Sequence, residues 1–166
     1  MENATWTYPQ PNDSIMKLLM SCLTFLLTLH ASATLTVRGT LVDHENRPTA
    51  GTVVIYEGNM AVDTVSIDDS GRFRVPLPNH VYYTLEFQSM GYVHKRIAAD
   101  TREAPLQGRP KVYSCTVALV PEKQEYERAG WLDFPVAVLY YSVKGGFSYG
   151  KSYTREMHQL YATLMQ

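Results

Sequence analysis

From Thr34 onward the chain alternates apolar and polar positions in short runs, the pattern of half-buried β-strands. In TLTVRGTLVD, residues 34–43, Leu35, Val37, Gly39 and Leu41 share one face, and Thr36, Arg38 and Thr40 share the other. A loop follows with Asn46 and Pro48 as turn formers, then the continuous apolar strand TVVIYEG. Gly58-Asn59 predicts a tight reversal into MAVDTVSI. Asp68, Asp69, Ser70 and Gly71 then separate that strand from RFRVPL, where Phe73, Val75 and Leu77 alternate with Arg72, Arg74 and Pro76. A cluster of this kind between two alternating runs reads as a hairpin turn, with Gly71 supplying a positive φ. A calcium loop would need acids at alternate positions and a distal glutamate, which this stretch lacks.

YYTLEFQSM continues with Tyr83, Leu85 and Phe87 on one face, and Gly91 ends it. VHKRIAAD, polar and lysine-bearing, reads as a strand that protects a sheet edge. After a loop from Thr101 to Lys111, VYSCTVALVP closes the β region at Pro121. Seven or so short strands with regular turns predict a mainly β sandwich over residues 34–121. Residues 122–166 hold a polar linker, one extra strand in PVAVLYYSV ended by Gly145-Gly146, and an amphipathic helix. The helix is predicted from Tyr153, Met157, Leu160, Tyr161 and Leu164, which fall on one face, with Ser152 as cap and Glu156 in the first turn.

The N-terminal pattern is different. Lys17 precedes an apolar run from Leu18 to Leu29, and Ala31-Ser32-Ala33 supplies a small-residue cleavage site, so residues 16–33 read as a signal peptide. The run is too short to span a bilayer, which needs ~20 residues. Residues 1–15 carry Glu2 and Asp13 and no Lys or Arg, so translation beginning at Met16, or an unstructured leader, is expected. An exported chain, in the periplasm or at the outer membrane of a Gram-negative envelope, follows as the expectation.

Composition narrows the function classes. Without Glu2, Asp13 and Lys17 the chain carries 14 basic and 14 acidic residues, which gives no footprint for nucleic acid. Without Cys22 only Cys115 is left, so no internal disulfide is predicted, and Cys115 reads as a small buried hydrophobe. The histidines His30, His44, His80, His94 and His158 show no zinc-ligand spacing, and neither a nucleophile elbow nor a P-loop occurs. No catalytic residue, metal or cofactor is predicted, and the chain reads as a non-enzyme. The candidate binding residues are aromatic: Trp131 and Tyr126 in the linker, then Tyr149 and Tyr153, rings that serve at protein interfaces or stack on sugars.

Several landmarks in order resemble the carboxypeptidase regulatory-like family. They are Val37-x-Gly39, Asp43, Pro48 with Gly51, Asp68-x-x-Gly71-x-Phe73, Leu85 and Gly91-Tyr92. The resemblance covers Leu35 to Tyr92 and continues less clearly to Val120. It implies a seven-stranded Greek-key sandwich, transthyretin-like (prealbumin-like), followed by the extra strand and helix. The tail from Phe134 to Met157 is similar to that of small exported envelope proteins with such an appendage. The family implies a non-catalytic module for protein contact, scaffolding or carbohydrate binding, with an envelope protein as partner and a glycan as the second partner class. The hydrolase that shares the transthyretin-like fold would require a C-terminal Tyr-Arg-Gly-Ser, whereas this chain ends YATLMQ.

Overall fold

The first alternating run becomes β1 (Thr34–Val42), the middle strand of a three-stranded sheet. The computed structural model describes residues 34–105, 111–122, 133–142 and 146–164. The remaining strands are β2 (Gly51–Glu57), β3 (Met60–Ile67), β4 (Arg72–Pro78), β5 (Tyr82–Gln88), β6 (Tyr92–Val93), β7 (Lys95–Asp100), β8 (Lys111–Ala118), β9 (Val120–Pro121), β10 (Ala137–Ser142) and β11 (Gly146–Tyr149). One helix, α1 (Lys151–Leu164), follows them. The smaller sheet runs β4-β1-β8 and the larger runs β11-β10-β7-β5-β2-β3, with β6 and β9 forming a separate pair. The protein is mainly β, and the larger sheet takes in β10 and β11 from beyond Pro121 as well as strands from before it.

The two sheets face each other through the apolar positions that the period of two selects. Leu35, Val37 and Leu41 of β1, Phe73, Val75 and Leu77 of β4, and Val53, Ile55, Leu85 and Phe87 from the larger sheet are all at most 5% exposed. Phe73 and Phe87 meet edge to face with ring centroids 5.0 Å apart. Each such side chain contributes roughly 1.5–3 kcal/mol by leaving water. Met157 and Tyr161 of α1 belong to the same core, so the helix covers apolar surface beyond the reach of the three-stranded sheet.

The loop after β1 is held by Asp43, which is buried and accepts the amides of Glu45 and Arg47 at 2.8 and 2.9 Å and Nε of Arg47 at 2.8 Å. The Arg47 amide bond chiefly holds its carboxyl below the ordinary range. Gly71 has φ 68° and Ser70 donates its amide to Asp68 Oδ1 at 3.0 Å, so residues 68–71 do turn. It is not a hairpin, however: β3 and β4 lie in different sheets, and the turn arches from one to the other. β7 also departs from the sequence expectation. It pairs antiparallel with β5 and parallel with β10, so VHKRIAAD contributes an interior strand, not a sheet edge. A further strand, β11, begins at Gly146 and pairs antiparallel with β10. α1 starts at Lys151, which puts Ser152 inside the helix and Glu156 beyond its first turn. The proposed leader, signal peptide and most of the linker lie outside the described residues.

β1 and β8 run parallel in register, Gly39 opposite Cys115. A Cβ on Gly39 would collide with the Cys115 carbonyl and crowd the Phe73 ring. Gly39→Ala is therefore expected to destabilise the protein by about 2 kcal/mol through strain at this close approach. A fall in the urea midpoint with an unchanged slope would register it.

Candidate functional site

Two clusters of polar side chains lie on opposite faces of the large sheet, and both grow from neighbouring residues of β7. On the outer face, Arg96 stands directly opposite Glu86 of β5. Arg96 Nε donates to Glu86 Oε2 at 2.5 Å, and Gln88 donates to Oε1 at 2.6 Å. His94 Nδ1 lies 3.4 Å from the same oxygen. Arg96 Nη1 reaches the Asp133 carbonyl at 2.9 Å, which ties the segment before β10 to the sheet. Burial alone would raise the Glu86 carboxyl, but the bonds from Gln88 and Arg96 outweigh it and hold the group below its ordinary range. An open pocket of about 310 Å³ lies over this pair, lined by Tyr56, Asn59, Thr84 and Asp133 among others.

The inner face carries the less ordinary arrangement. Lys95 lies opposite Phe87 and shares the inward face of β7 with Ile97 and Ala99. Its ammonium donates to the Ala118 carbonyl and stands 5.0 Å over the Tyr161 ring of α1. Burial lowers the amine to about 8. Beside it runs a groove of about 360 Å³, with residues 114–118 of β8 along one wall and Ala137, Leu139, Tyr149, Thr154 and His158 on the others. Cys115, half-buried, is a free thiol pushed up to about 11 by burial, so it is not an activated nucleophile.

The wall formed by β8 is a strand edge. Leu119 donates its amide to Val42, and the Cys115 carbonyl lies against Gly39, so the odd-numbered residues of this stretch turn their main-chain groups toward β1. Alternation along a strand then turns the amides and carbonyls of Val112, Ser114, Thr116 and Ala118 the other way. Among the described residues only the Ala118 carbonyl has a partner on that side, and the partner is Lys95. The other sheet edges are blunted differently. β4 carries Pro76 and Pro78, β11 is four residues long, and β3 has a register break against β2 and the exposed Asp63.

Of the residues singled out in the sequence, Tyr149 lines this groove and is 38% exposed. Tyr153 is half-buried and its hydroxyl donates to the Pro135 carbonyl at 2.6 Å, a packing position on the covered face of α1. Trp131 and Tyr126 lie outside the described residues. Lys95, Ser114 and Thr116 were not singled out, although one signal was present. The alternation that puts Ile97 inward puts Lys95 inward with it. Among the described residues no group of three or more His, Cys, Asp or Glu side chains could hold a metal. Nor is any described helix long and apolar enough to cross a membrane.

No family model and no curated protein matches the chain. Solved structures give shallow likenesses. One is the Bacillus anthracis TIE protein, at 18% identity and TM-score 0.42, over 54% of this chain and 17% of that one. Another is the 3-chlorocatechol 1,2-dioxygenase of Rhodococcus opacus 1CP, at 14% and 0.41, over 57% of this chain and 62% of that one. A third is the C-terminal fragment of the pilus adhesin SpaC from Lactobacillus rhamnosus GG, at 13% and 0.36, over 55% and 47%. The chain spans less than two thirds of each of them, and no residue role passes from them to it.

The two clusters make opposite stability predictions. Arg96→Met leaves Glu86 buried without its main partner and is expected to lose about 3 kcal/mol at pH 7. The loss should shrink as pH falls below the ordinary glutamate value of 4.5 and the carboxyl takes a proton, as urea titrations across pH would record. Lys95→Met removes a charge that folding desolvates, and should raise stability at pH 7 by roughly 2 kcal/mol. The unfolded lysine keeps its proton to about 10.5 and the folded one releases it near 8. Wild-type stability should therefore climb between those values and close most of the gap, which melting curves at pH 7 and pH 10 would detect.

Proposed function

We propose that this chain is a non-catalytic binding module of the cell envelope that takes an extended protein segment along the β8 edge. The observation that carries the reading is the row of outward main-chain groups at Ser114 and Thr116 beside an open groove. Strand addition to such an edge supplies main-chain hydrogen bonds for affinity, and the groove walls read alternate side chains. On this reading the sandwich is a carboxypeptidase regulatory-like module. Support for that comes from Gly39, Asp43 and Gly71, each at a position with a physical demand for that residue. Export to the periplasm or outer membrane rests on the N-terminal pattern of residues 16–33.

A second reading, glycan binding, has its own observation. Tyr56, Asn59, Thr84 and Asp133 bring an aromatic ring and several hydrogen-bonding groups around the pocket over Glu86 and Arg96. The two readings separate on one experiment. A photo-crosslinking residue placed at Val112, which is 54% exposed, should form an adduct with one reproducible protein in intact cells. Thr116→Pro should abolish that adduct while leaving the melting temperature nearly unchanged, because the lost amide points away from β1. An adduct that survives Thr116→Pro would rule out the edge.

A further inference from the structure

We infer that the segment received by β8 is the free C-terminus of its partner, running parallel to β8 with its terminal carboxylate on Lys95. The inference rests on the edge-docking reading above and adds the chemistry of the occupant. The argument begins with the place Lys95 holds. Its ammonium bonds the Ala118 carbonyl, one of the groups that β8 turns away from β1. That is the position where an amide of an added strand would otherwise sit. A strand laid along Ser114 and Thr116 therefore cannot continue past Ala118 and has to end there.

The sign of the charge selects which end. An amino terminus would bring a second cation against Lys95, whereas a carboxylate supplies the counter-ion the groove lacks. Besides Lys95, the titratable groups lining the groove are Tyr113 and Cys115 of β8, Tyr149 of β11 and His158 of α1, with Tyr161 of α1 beneath the ammonium. None is a carboxylate, and no ion pair to Lys95 is present among the described residues. A side-chain carboxylate fits less well, because side chains of an added strand project to the faces of the sheet while Lys95 lies in line with the ladder. β8 runs from Lys111 to Ala118, so a strand with its C-terminus at Ala118 is parallel to it. The inward-facing Cys115 and Val117 together with Ala137 and Leu139 give apolar walls, so alternate residues of the occupant are apolar.

Lys95 also destabilises the unoccupied fold. Burial alone depresses its amine, and a bound carboxylate would restore the proton affinity that desolvation removes. A partly buried cation with a carbonyl and a ring beside it but no carboxylate is the kind of local departure that functional sites carry.

An acetylated hexapeptide of alternating threonine and valine, made both as the free acid and as the C-terminal amide, tests the inference against the full chain. The amide resonances of Ser114 and Thr116 report occupancy. The acid is expected to bind about 10-fold tighter than the amide, the margin of one charge-assisted contact. Lys95→Met, which should fold more stably than the parent, should erase that difference. The acid's advantage should also fade as pH rises through 8 and Lys95 loses its proton, while amide binding stays level. Equal affinities for acid and amide overturn the C-terminal inference and leave the edge reading standing. Failure of both peptides to move Ser114 and Thr116 at millimolar concentration overturns both. Protection of those amides by self-association of the chain, unaffected by either peptide, assigns the edge to a second copy and overturns the inference.

Discussion

A three-stranded sheet cannot cover a six-stranded one. Strands β4, β1 and β8 lie against only part of the larger sheet, and the inward face of β7 and β10 extends past them. Apolar area left to water weakens a small domain at roughly 25 cal/mol per Å², so something else has to pack there. α1 does so with Met157 and Tyr161, held in place partly by the Tyr153 hydroxyl on Pro135. A helix and a strand edge do not interlock as two sheets do, because the edge presents main-chain groups instead of side chains. The groove between β8 and α1 is the geometric remainder of that mismatch.

Lys95 is set at this remainder with a price in stability. An inward lysine on an interior strand desolvates its ammonium, and the Ala118 carbonyl and the Tyr161 ring compensate only in part. Its neighbour Arg96 shows the opposite solution. It points outward, meets a buried glutamate, and links β5, β7 and the segment before β10 into one network. Adjacent residues of one strand thus divide into a structural cation, which has its carboxylate, and an unmatched one, which faces a groove.

Much of the fold was legible because period two is a strong local signal. β1, β4 and β5 have the faces their patterns assign, and of the predicted helical stripe Tyr153, Met157 and Tyr161 are on the covered side of α1 whereas Leu160 is 37% exposed. Periodicity reports which way a residue faces and nothing about which strand lies beside it. For that reason Lys95-Arg96 looked like edge protection although β7 has neighbours on both sides, and Asp68–Gly71 looked like a hairpin although it joins two sheets. β11 is not legible in the sequence because four residues that begin with Gly146 carry too little pattern. The candidate site was harder still. An outward amide at Thr116 is set by the register with β1, a pairing that local sequence does not encode.

The parallel pairing of β1 with β8 also bears on how the chain reaches its native state. Arg38 and Ser114, which bond across that ladder, are 76 residues apart. As the middle strand, β1 must wait for both partners, first β4 and then β8. Such non-local pairings raise contact order and slow folding into the millisecond-to-second range, because loop closure precedes any gain from contact. Until β8 arrives, one whole edge of β1 remains open in a nascent or refolding chain. The vulnerable species for aggregation is therefore the intermediate that lacks the final third of the sequence, and truncations there should be far more damaging than their length implies.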